Sequence, residues 1–270
     1  MDLAQRRAEY AASITAACGI DAPRVQRAFA TVPRERFVGL GPWKFFTAAG
    51  YVQTVSSDPL LLYDDVVIAL SPEKRINNGQ PSLHAKCMAA VDIQAGDRVL
   101  HIGCGSGYYT AILAEMATAR GCVLAWDVEP ALARAAAANL CDRTHVVVDC
   151  RSGTQPPIPT SDVIYVSAGC TRPMKDWVEA LTPGGRLIFP LTPGWDYGGM
   201  LKVTRHEHRL HAQFVCACAF IPCVGGSSPA EAQGLLRAFS RGDMYQVSSL
   251  RFDAVSGEDC WFAGDGWNLH

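Results

Sequence analysis

The sequence has little net charge, no long apolar run and no C-x-x-C pair. Its 24 Lys and Arg residues nearly balance its 26 Asp and Glu residues, for a formal net charge of −2. Since no basic run stands out, charge gives no support for a nucleic-acid partner. The longest apolar stretch, 214–224, contains Pro222 and is too short to span a bilayer. These absences argue against nucleic-acid and membrane partners and favour a globular protein.

The eleven cysteines are scattered along the chain. Without a C-x-x-C pair a zinc site has no framework, so we expect no bound metal. The first residues are polar and lack the apolar core of a signal peptide, which predicts a cytoplasmic protein. In that compartment we expect all eleven thiols to be free and reduced.

The most informative segment, 99–107, reads Val-Leu-His-Ile-Gly-Cys-Gly-Ser-Gly, an apolar strand that runs into three glycines. Gly103, Gly105 and Gly107 permit a tight turn and the close approach of a ligand, because they carry no Cβ. Asp127 ends the next apolar run, where a carboxylate can accept hydrogen bonds from two ribose hydroxyls. The pattern predicts half of a nucleotide-binding α/β fold.

The glycine spacing bears on which nucleotide is bound. A dinucleotide fingerprint is G-x-G-x-x-G, whereas here the third glycine comes one position early and Tyr108 stands in its place. The spacing G-x-G-x-G resembles motif I of class I S-adenosylmethionine (SAM) methyltransferases, and it disfavours a nicotinamide oxidoreductase. A strand-to-helix turn without any ligand is the alternative interpretation.

From residue 97 onward, strands and helices alternate regularly. This order predicts an α/β, Rossmann-like methyltransferase fold with a mostly parallel twisted sheet, helices on both faces and a late antiparallel strand pair. The expected strands are 97–102, 121–126, 144–149, 161–167 and 186–191, then the pair 199–205 and 209–220, which turns at 206–208. The expected helices lie near 2–18, 81–90, 107–119, 130–140 and 173–181. One more helix is expected to begin with Asp21 as its cap, and a sharp turn is expected at 182–185.

These elements group into three predicted regions. Residues 1–96 form an N-terminal helical and substrate-loop region, 97–226 the SAM-binding domain, and 227–270 a C-terminal extension. The extension is expected to hold a helix at 229–239 and one or two strands.

Four segments resemble the protein-L-isoaspartate O-methyltransferase family. They occur in the family's order and together cover roughly residues 20–224, although nothing in the resemblance explains 227–270. The segments are 32–38 (Val-Pro-Arg-Glu-Arg-Phe-Val), 80–85 (Gln-Pro-Ser-Leu-His-Ala), 98–113 around the glycines, and 181–191 (Leu-Thr-Pro-Gly-Gly-Arg-Leu-Ile-Phe-Pro-Leu).

The resemblance implies roles for several residues. Gly103, Gly105 and Gly107 would line the methionine part of SAM, and Asp127 would bind the ribose. Asp149 would lie near the adenine amino group, with capping of the turn at 152–153 as its alternative role. Family members usually carry an acid where this chain has His101, so we expect a weaker contact with the cofactor's ammonium group.

The candidate catalytic residues, Gly79, Gln80, Ser82 and His84, belong to a segment that departs from the family. Relatives typically read Thr-Ile-Ser-x-Pro there, with a serine that holds the isoaspartyl carboxylate, whereas residues 76–81 read Ile-Asn-Asn-Gly-Gln-Pro. Gly79 takes the serine's place, so we expect poor activity on ordinary isoaspartyl peptides. His84 is the candidate base for an alcohol or amine acceptor, and a packed core histidine is its alternative role.

Three functions follow as hypotheses. The first is a SAM-dependent carboxyl O-methyltransferase resembling the isoaspartyl repair enzymes. The second is a methyltransferase of the same fold that acts on a small metabolite or a modified peptide, and the third is a non-catalytic SAM-binding protein. The expected acceptor is a protein or peptide carboxylate or a small molecule, and the oligomeric state is left open.

Overall fold

The chain divides into two compact units. A computed structural model describes residues 2–207, 209–253 and 260–270. The first unit comprises Met1–Gly96 with Cys104–Cys150, and the second comprises Asp97–Gly103 with Arg151–His270. The region boundaries predicted at 96/97 and 226/227 stay predictions. Among the described residues, none of the helices combines the length and the apolar character needed to cross a membrane.

The first unit carries most of the helices, with all elements numbered in chain order. Its helices are α1 (Leu3–Ala17), α2 (Pro23–Thr31), α3 (Pro81–Val91), α4 (Tyr108–Ala117) and α5 (Pro130–Asn139). Its strands are β1 (Lys44–Thr47), β2 (Gly50–Gln53), β3 (Ala69–Ser71), β4 (Ile76–Asn77), β6 (Cys122–Asp127) and β7 (Val146–Cys150).

Helix starts in the first unit follow from local sequence, with one correction. The Asp2 side chain accepts a hydrogen bond from the Gln5 N–H at 2.7 Å and so caps α1. The prediction that Asp21 caps α2 is wrong, because the capping position is Ala22 and no side chain caps it. Pro23 has a fixed φ and lacks an N–H that would need a partner, so the helix begins at Pro23, one residue later than a cap at Asp21 would give.

The strand–helix–strand repeat predicted over 121–149 forms as a βαβ unit. Strands β6 and β7 are parallel and in register from Val123 opposite Val146 to Asp127 opposite Cys150. The alanine-rich α5 connects them and begins at Pro130. Nine of the ten residues of helix α4 are buried, as expected for a helix in a core.

The second unit carries most of the strands. Its strands are β5 (Arg98–Ile102), β8 (Ser161–Val166), β9 (Leu181–Leu191), β10 (Gly198–Arg205), β11 (Leu210–Cys218), β12 (Ser249–Arg251), β13 (Phe262–Ala263) and β14 (Asn268–Leu269). Its helices are α6 (Lys175–Glu179) and α7 (Pro229–Ser240).

Strands β5, β8 and β9 are parallel neighbours, and the described ladders between β9 and the later strands are antiparallel. Two isolated bridges, Cys170 with Leu191 and Gly169 with Pro222, are parallel. The α/β fold class is thereby confirmed, and the antiparallel part extends beyond the predicted pair to three short strands of the C-terminal segment. The predicted turn at 182–185 lies inside β9, where Gly184 has φ +77° and the pairing with β8 is irregular. The predicted turn at 206–208 includes His208, which lies outside the described residues.

Candidate functional site

The glycine loop adopts backbone conformations that favour glycine. Gly103, Gly105 and Gly107 have φ values of +77°, +57° and +94°. A Cβ on Gly107 would lie 2.8 Å from Cδ1 of Leu140, so glycine also lets α4 begin close against the end of α5. The predicted tight turn therefore forms at these positions.

Asp127 ends β6 and is tied to the glycine loop. Its side chain is buried at 7 % exposure. Oδ2 accepts a hydrogen bond from the Gly105 N–H at 2.7 Å, and Oδ1 accepts one from the Glu129 N–H at 2.9 Å. Burial raises the pKa of this carboxyl, although the backbone N–H groups act in the opposite direction. Because each oxygen has a lone pair to spare, the carboxylate can accept two further donors.

The β3–β4 hairpin also lies against the glycine loop. Cδ1 of Leu70 is 3.1 Å from the position that a Cβ on Gly105 would take. Near the tip of the hairpin, the Lys74 ammonium pairs with the carboxylate of Glu129, two residues after Asp127. These contacts put a wall beside the Asp127 carboxylate, and no motif in the sequence indicated it.

Asp149 and His101 are the other two cofactor candidates. Strand register puts Asp149 opposite Trp126, so its side chain points to the other face of the sheet from Asp127. Asp149 is exposed, and Ser152 Oγ closes the following turn by accepting from the Thr154 N–H. His101 is fully buried in the second unit, with Nε2 3.0 Å from Ser167 Oγ, and burial lowers its pKa to about 3. It is therefore neutral at physiological pH.

The acceptor segment is organised around Gly79 and His84. Gly79 has φ +73°, and a Cβ there would lie 2.4 Å from Nε2 of His84. The imidazole is 2 % exposed and stacks on Tyr109, with ring centroids 3.7 Å apart. The Tyr109 hydroxyl, whose pKa burial raises, donates to the Gly79 carbonyl at 3.2 Å. Since Tyr109 comes two residues after Gly107, the acceptor segment is bonded to the helix that the glycine loop opens.

Asp65 organises the other half of this segment. Its carboxylate accepts hydrogen bonds from the Ser82 N–H at 2.8 Å, the Ser82 hydroxyl at 2.7 Å and the Gln80 side-chain amide at 2.7 Å. Asp65 therefore caps α3 from outside the helix, where Gln80 makes no capping hydrogen bond of its own. Two of the four candidate catalytic residues, Gln80 and Ser82, thus bond to an acid that sequence reasoning missed.

Arg34 holds the segment that carries Asp65. Its guanidinium is fully buried and donates to the carbonyl oxygens of Leu62 at 2.6 Å, Asp64 at 2.8 Å and Val66 at 2.6 Å. The carbonyls on both sides of Asp65 are thereby fixed. The Val-Pro-Arg-Glu-Arg motif, which the sequence singled out without a role, acts in the structure by positioning this acid.

A glycine loop between a strand and a helix, tied to an acid at the end of the next strand, is the arrangement of a nucleoside-binding α/β protein. The model of the protein-L-isoaspartate(D-aspartate) O-methyltransferase family matches residues 11–228. The chain belongs to this family. The match confirms the resemblance and leaves residues 229–270 outside it.

Relatives and solved structures agree with this assignment. The protein-L-isoaspartate O-methyltransferase of Brucella anthropi is 30% identical to this chain, over 78% of this chain and 89% of the relative. That of Aeropyrum pernix is 31% identical, over 75% of this chain and 73% of the relative. A solved protein-L-isoaspartate O-methyltransferase, 19% identical, matches 97% of this chain and 86% of its own with a TM-score of 0.67. Another, from Plasmodium falciparum in complex with S-adenosyl-L-homocysteine, is 16% identical and matches with a TM-score of 0.63. The match covers 80% of this chain and 97% of that structure's chain. These two structures support the fold.

Proposed function

We propose that this protein is a SAM-dependent methyltransferase in which the glycine loop and Asp127 bind the cofactor. The observation that carries the proposal is the buried Asp127 carboxylate, bonded to the Gly105 N–H at the end of β6. Family membership supports the activity.

The residues present fit this cofactor. Asp127 keeps acceptor capacity for two ribose hydroxyls after its two backbone hydrogen bonds. Gly103, Gly105 and Gly107 offer backbone without side chains to the methionine part. Leu70 gives the site an apolar wall in the first unit. In this proposal Asp149 contributes at most at the periphery, and the buried, neutral His101 offers no charge to the cofactor's ammonium group.

The proposed acceptor is a carboxylate of a protein, a peptide or a small molecule. SAM supplies a methyl group on a sulfonium, which is already a good leaving group. A carboxylate is ionised at neutral pH, so no side chain has to remove a proton from it. The task left to the protein is to align and desolvate the two groups, which is worth up to ~7–11 kcal/mol for well-oriented reactants. His84, stacked and buried, would then position the Gly79 backbone rather than act as a base.

A second acceptor class, a small metabolite or a modified peptide, is favoured by the hydrogen bonds of the acceptor segment. The Gly79 N–H is bonded to the Asn77 side chain, and the Ser82 and Gln80 donors are bonded to Asp65. An isoaspartyl carboxylate would have to displace one of these bonds.

Cofactor binding is tested by calorimetric titration with SAM. Asp127→Asn keeps the shape and one acceptor oxygen but loses the charge, and a hydrogen bond to a charged group is worth about 1.5–3 kcal/mol. We expect SAM affinity to fall at least about tenfold. Asp176→Asn, which changes an exposed acid in α6, is the matched control and should bind normally. Equal affinity of a folded Asp127→Asn variant and the unmodified protein would refute the assignment.

The acceptor is tested with SAM carrying a tritiated methyl group. An isoaspartyl peptide and its aspartyl isomer form a matched pair, and base-labile label identifies a methyl ester. Weak labelling of the isoaspartyl peptide, with stronger labelling of another peptide or a small molecule, is the expected result. Efficient isoaspartyl methylation would restore the plain repair activity, and SAM binding without transfer to any acceptor would indicate a non-catalytic protein.

A further inference from the structure

The β1–β2 hairpin of the first unit exposes apolar side chains to solvent. Phe46 in β1 is 56 % exposed and Val52 in β2 is 50 % exposed. Just outside the two strands, Leu40 and Val55 are almost fully exposed as well. Apolar surface gathered in one short stretch of a folded chain is typical of a binding surface, and the folded core alone gives no reason for it.

The two faces of this hairpin have different surroundings. Phe45 packs against a buried cluster that includes Trp43 and Ile68, and so marks the inner face. Because side chains alternate along a strand, Phe46 lies on the outer face, together with its cross-strand partner Tyr51. The two rings are in edge-to-face contact, with their centroids 5.3 Å apart. The outer face therefore carries an aromatic pair.

Tyr51 connects the outer face to the acceptor segment, within the same unit. Its hydroxyl accepts a hydrogen bond from Nδ2 of Asn77 at 3.1 Å, and Oδ1 of Asn77 accepts one from the Gly79 N–H at 2.9 Å. The Phe46 N–H donates to the Val67 carbonyl at 2.9 Å, which holds β1 against the strand that precedes this segment. The aromatic pair is thus two hydrogen bonds away from Gly79.

Strand β2 also has an edge without a partner strand. The Thr54 N–H donates to the Trp43 carbonyl at 2.8 Å, and inward-directed and outward-directed residues alternate along an antiparallel strand. Counting back from Thr54, Gln53 and Tyr51 direct their backbone N–H and C=O groups away from β1. Within the part of the chain that the structure describes, no ladder or turn hydrogen bond engages these outward groups.

The chemistry of this edge favours an extended peptide as its occupant. The four residues of β2 are Gly-Tyr-Val-Gln, without the proline or the charge by which proteins protect an exposed edge. Outward N–H and C=O groups along a strand match those of a second strand, a mode of recognition in which main-chain hydrogen bonds supply the affinity. A small metabolite offers no such repeat of donors and acceptors.

We propose that the outer edge of β2 and the aromatic pair of Phe46 and Tyr51 bind an extended peptide that carries the acceptor group, and so present that group to the segment around Gly79. This proposal rests on the proposed methyltransferase function and adds to it the site that holds the rest of the acceptor chain. Every second side chain of the bound peptide would lie on the face of the aromatic pair. Binding should therefore tolerate different sequences and favour an apolar residue beside Phe46.

The first test measures binding of a fluorescein-labelled peptide, Thr-Val-Thr-Asp-Thr-Val-Thr with a C-terminal amide, to the full chain by fluorescence anisotropy without SAM. Gln53→Pro removes one outward N–H and should weaken binding at least about tenfold. Gln53→Ala keeps that N–H and is the matched control, with binding expected within about twofold of the unmodified protein. Phe46→Ala should weaken binding about fivefold, whereas Leu40→Ala, outside the strands, should not.

The second test changes the peptide instead of the protein. Two forms of it carry N-methyl groups, one at the odd-numbered residues and the other at the even-numbered residues. Since an added strand directs alternate N–H groups to its partner, one form should bind at least about tenfold more weakly and the other should bind normally. Equal binding of the two forms, or no binding of the unmethylated peptide, would overturn the proposal. This test needs no variant and stands even if Gln53→Pro does not fold.

Analytical ultracentrifugation distinguishes a second copy of this chain as the occupant of the edge. A dimer of the unmodified protein that Gln53→Pro dissociates would overturn the proposal of a peptide occupant. If the unmodified protein fails to bind SAM in calorimetry, the methyltransferase proposal fails instead. Because peptide binding is measured without SAM, it still decides whether β2 is a peptide-binding edge.

Discussion

Replacing Gly79 with serine restores the residue type that the family typically carries, yet the structure predicts damage rather than gain. Gly79 has φ +73°, in the left-handed region that costs other residues roughly 1–2 kcal/mol. The new Cβ would also lie 2.4 Å from Nε2 of His84, which cannot stay where it is. Moving the imidazole breaks its stack on Tyr109, and aromatic pairs of this kind are worth about 0.5–1.5 kcal/mol.

Together these effects predict that Gly79→Ser lowers the free energy of unfolding by about 2–3 kcal/mol. Gly19→Ser is the matched control, because Gly19 has φ +63° and nothing lies within 4 Å of its added Cβ. It shares the backbone strain without the steric conflict, so its cost should be about 1–2 kcal/mol.

The assay is urea unfolding of Gly79→Ser, His84→Ala and the double variant. If the conflict with the imidazole is real, the serine should cost about 1 kcal/mol less in the His84→Ala background. SAM affinity of Gly79→Ser should stay nearly constant, because the proposed cofactor contacts lie elsewhere. Equal costs at positions 79 and 19, or additive effects in the double variant, would refute the reasoning.

Three further predictions concern titration, capping and thiol reactivity. Because the pKa of His101 is about 3 when folded and 6.5 when unfolded, the unfolded chain binds the extra proton between these values. The free energy of unfolding should therefore fall by about 2 kcal/mol from pH 7 to pH 5, and His101→Gln should lack that part of the fall in urea titrations. Asp65→Asn should lower the free energy of unfolding by about 1–2 kcal/mol, because α3 loses its charged cap; an unchanged urea midpoint would contradict the capping role. The neighbouring thiol of Cys170 lowers the pKa of Cys223, so Cys170→Ala should slow iodoacetamide labelling of Cys223 at pH 7.5. Peptide mass spectrometry reads the labelling rate, and an unchanged rate would count against this effect.

The sequence predicted the glycine loop well because its signals are local. Three glycines at alternate positions require unusual φ values, and Asp127 lies at the end of an apolar run short enough to recognise. Strand and helix positions from 97 to 166 agree with the structure within one or two residues. The antiparallel strands β12–β14 were harder to predict, because each has only two or three residues and too few positions for a period to emerge.

Roles that depend on distant contacts could not be predicted from local pattern. Asp65 was visible only as part of a doublet that interrupts an apolar run, and its partners Gln80 and Ser82 lie more than a dozen residues away. One clue was present: α3 opens with proline, and the preceding Gln80 is a poor capping residue. A helix start without a local cap needs a hydrogen-bond acceptor from elsewhere in the chain for the N–H groups of its first turn.

The same limit of local pattern applies to Gly79, which stands where the family typically carries a serine. A glycine in place of a serine can mark a lost hydroxyl or a required backbone conformation, and sequence alone does not separate them. The positive φ of Gly79 and the imidazole of His84, which lies where a Cβ of residue 79 would be, show that this position requires the backbone conformation of a glycine. Position 79 and position 84 therefore act as a pair, since a residue with a Cβ at the first excludes the observed imidazole at the second. If the acceptor of this protein differs from an isoaspartyl peptide, we expect this pair of residues to cause the difference. The single substitution Gly79→Ser should then cost stability without restoring isoaspartyl activity. Methyl transfer to the isoaspartyl peptide by Gly79→Ser above the level of the unmodified protein would show that the pair does not control the acceptor.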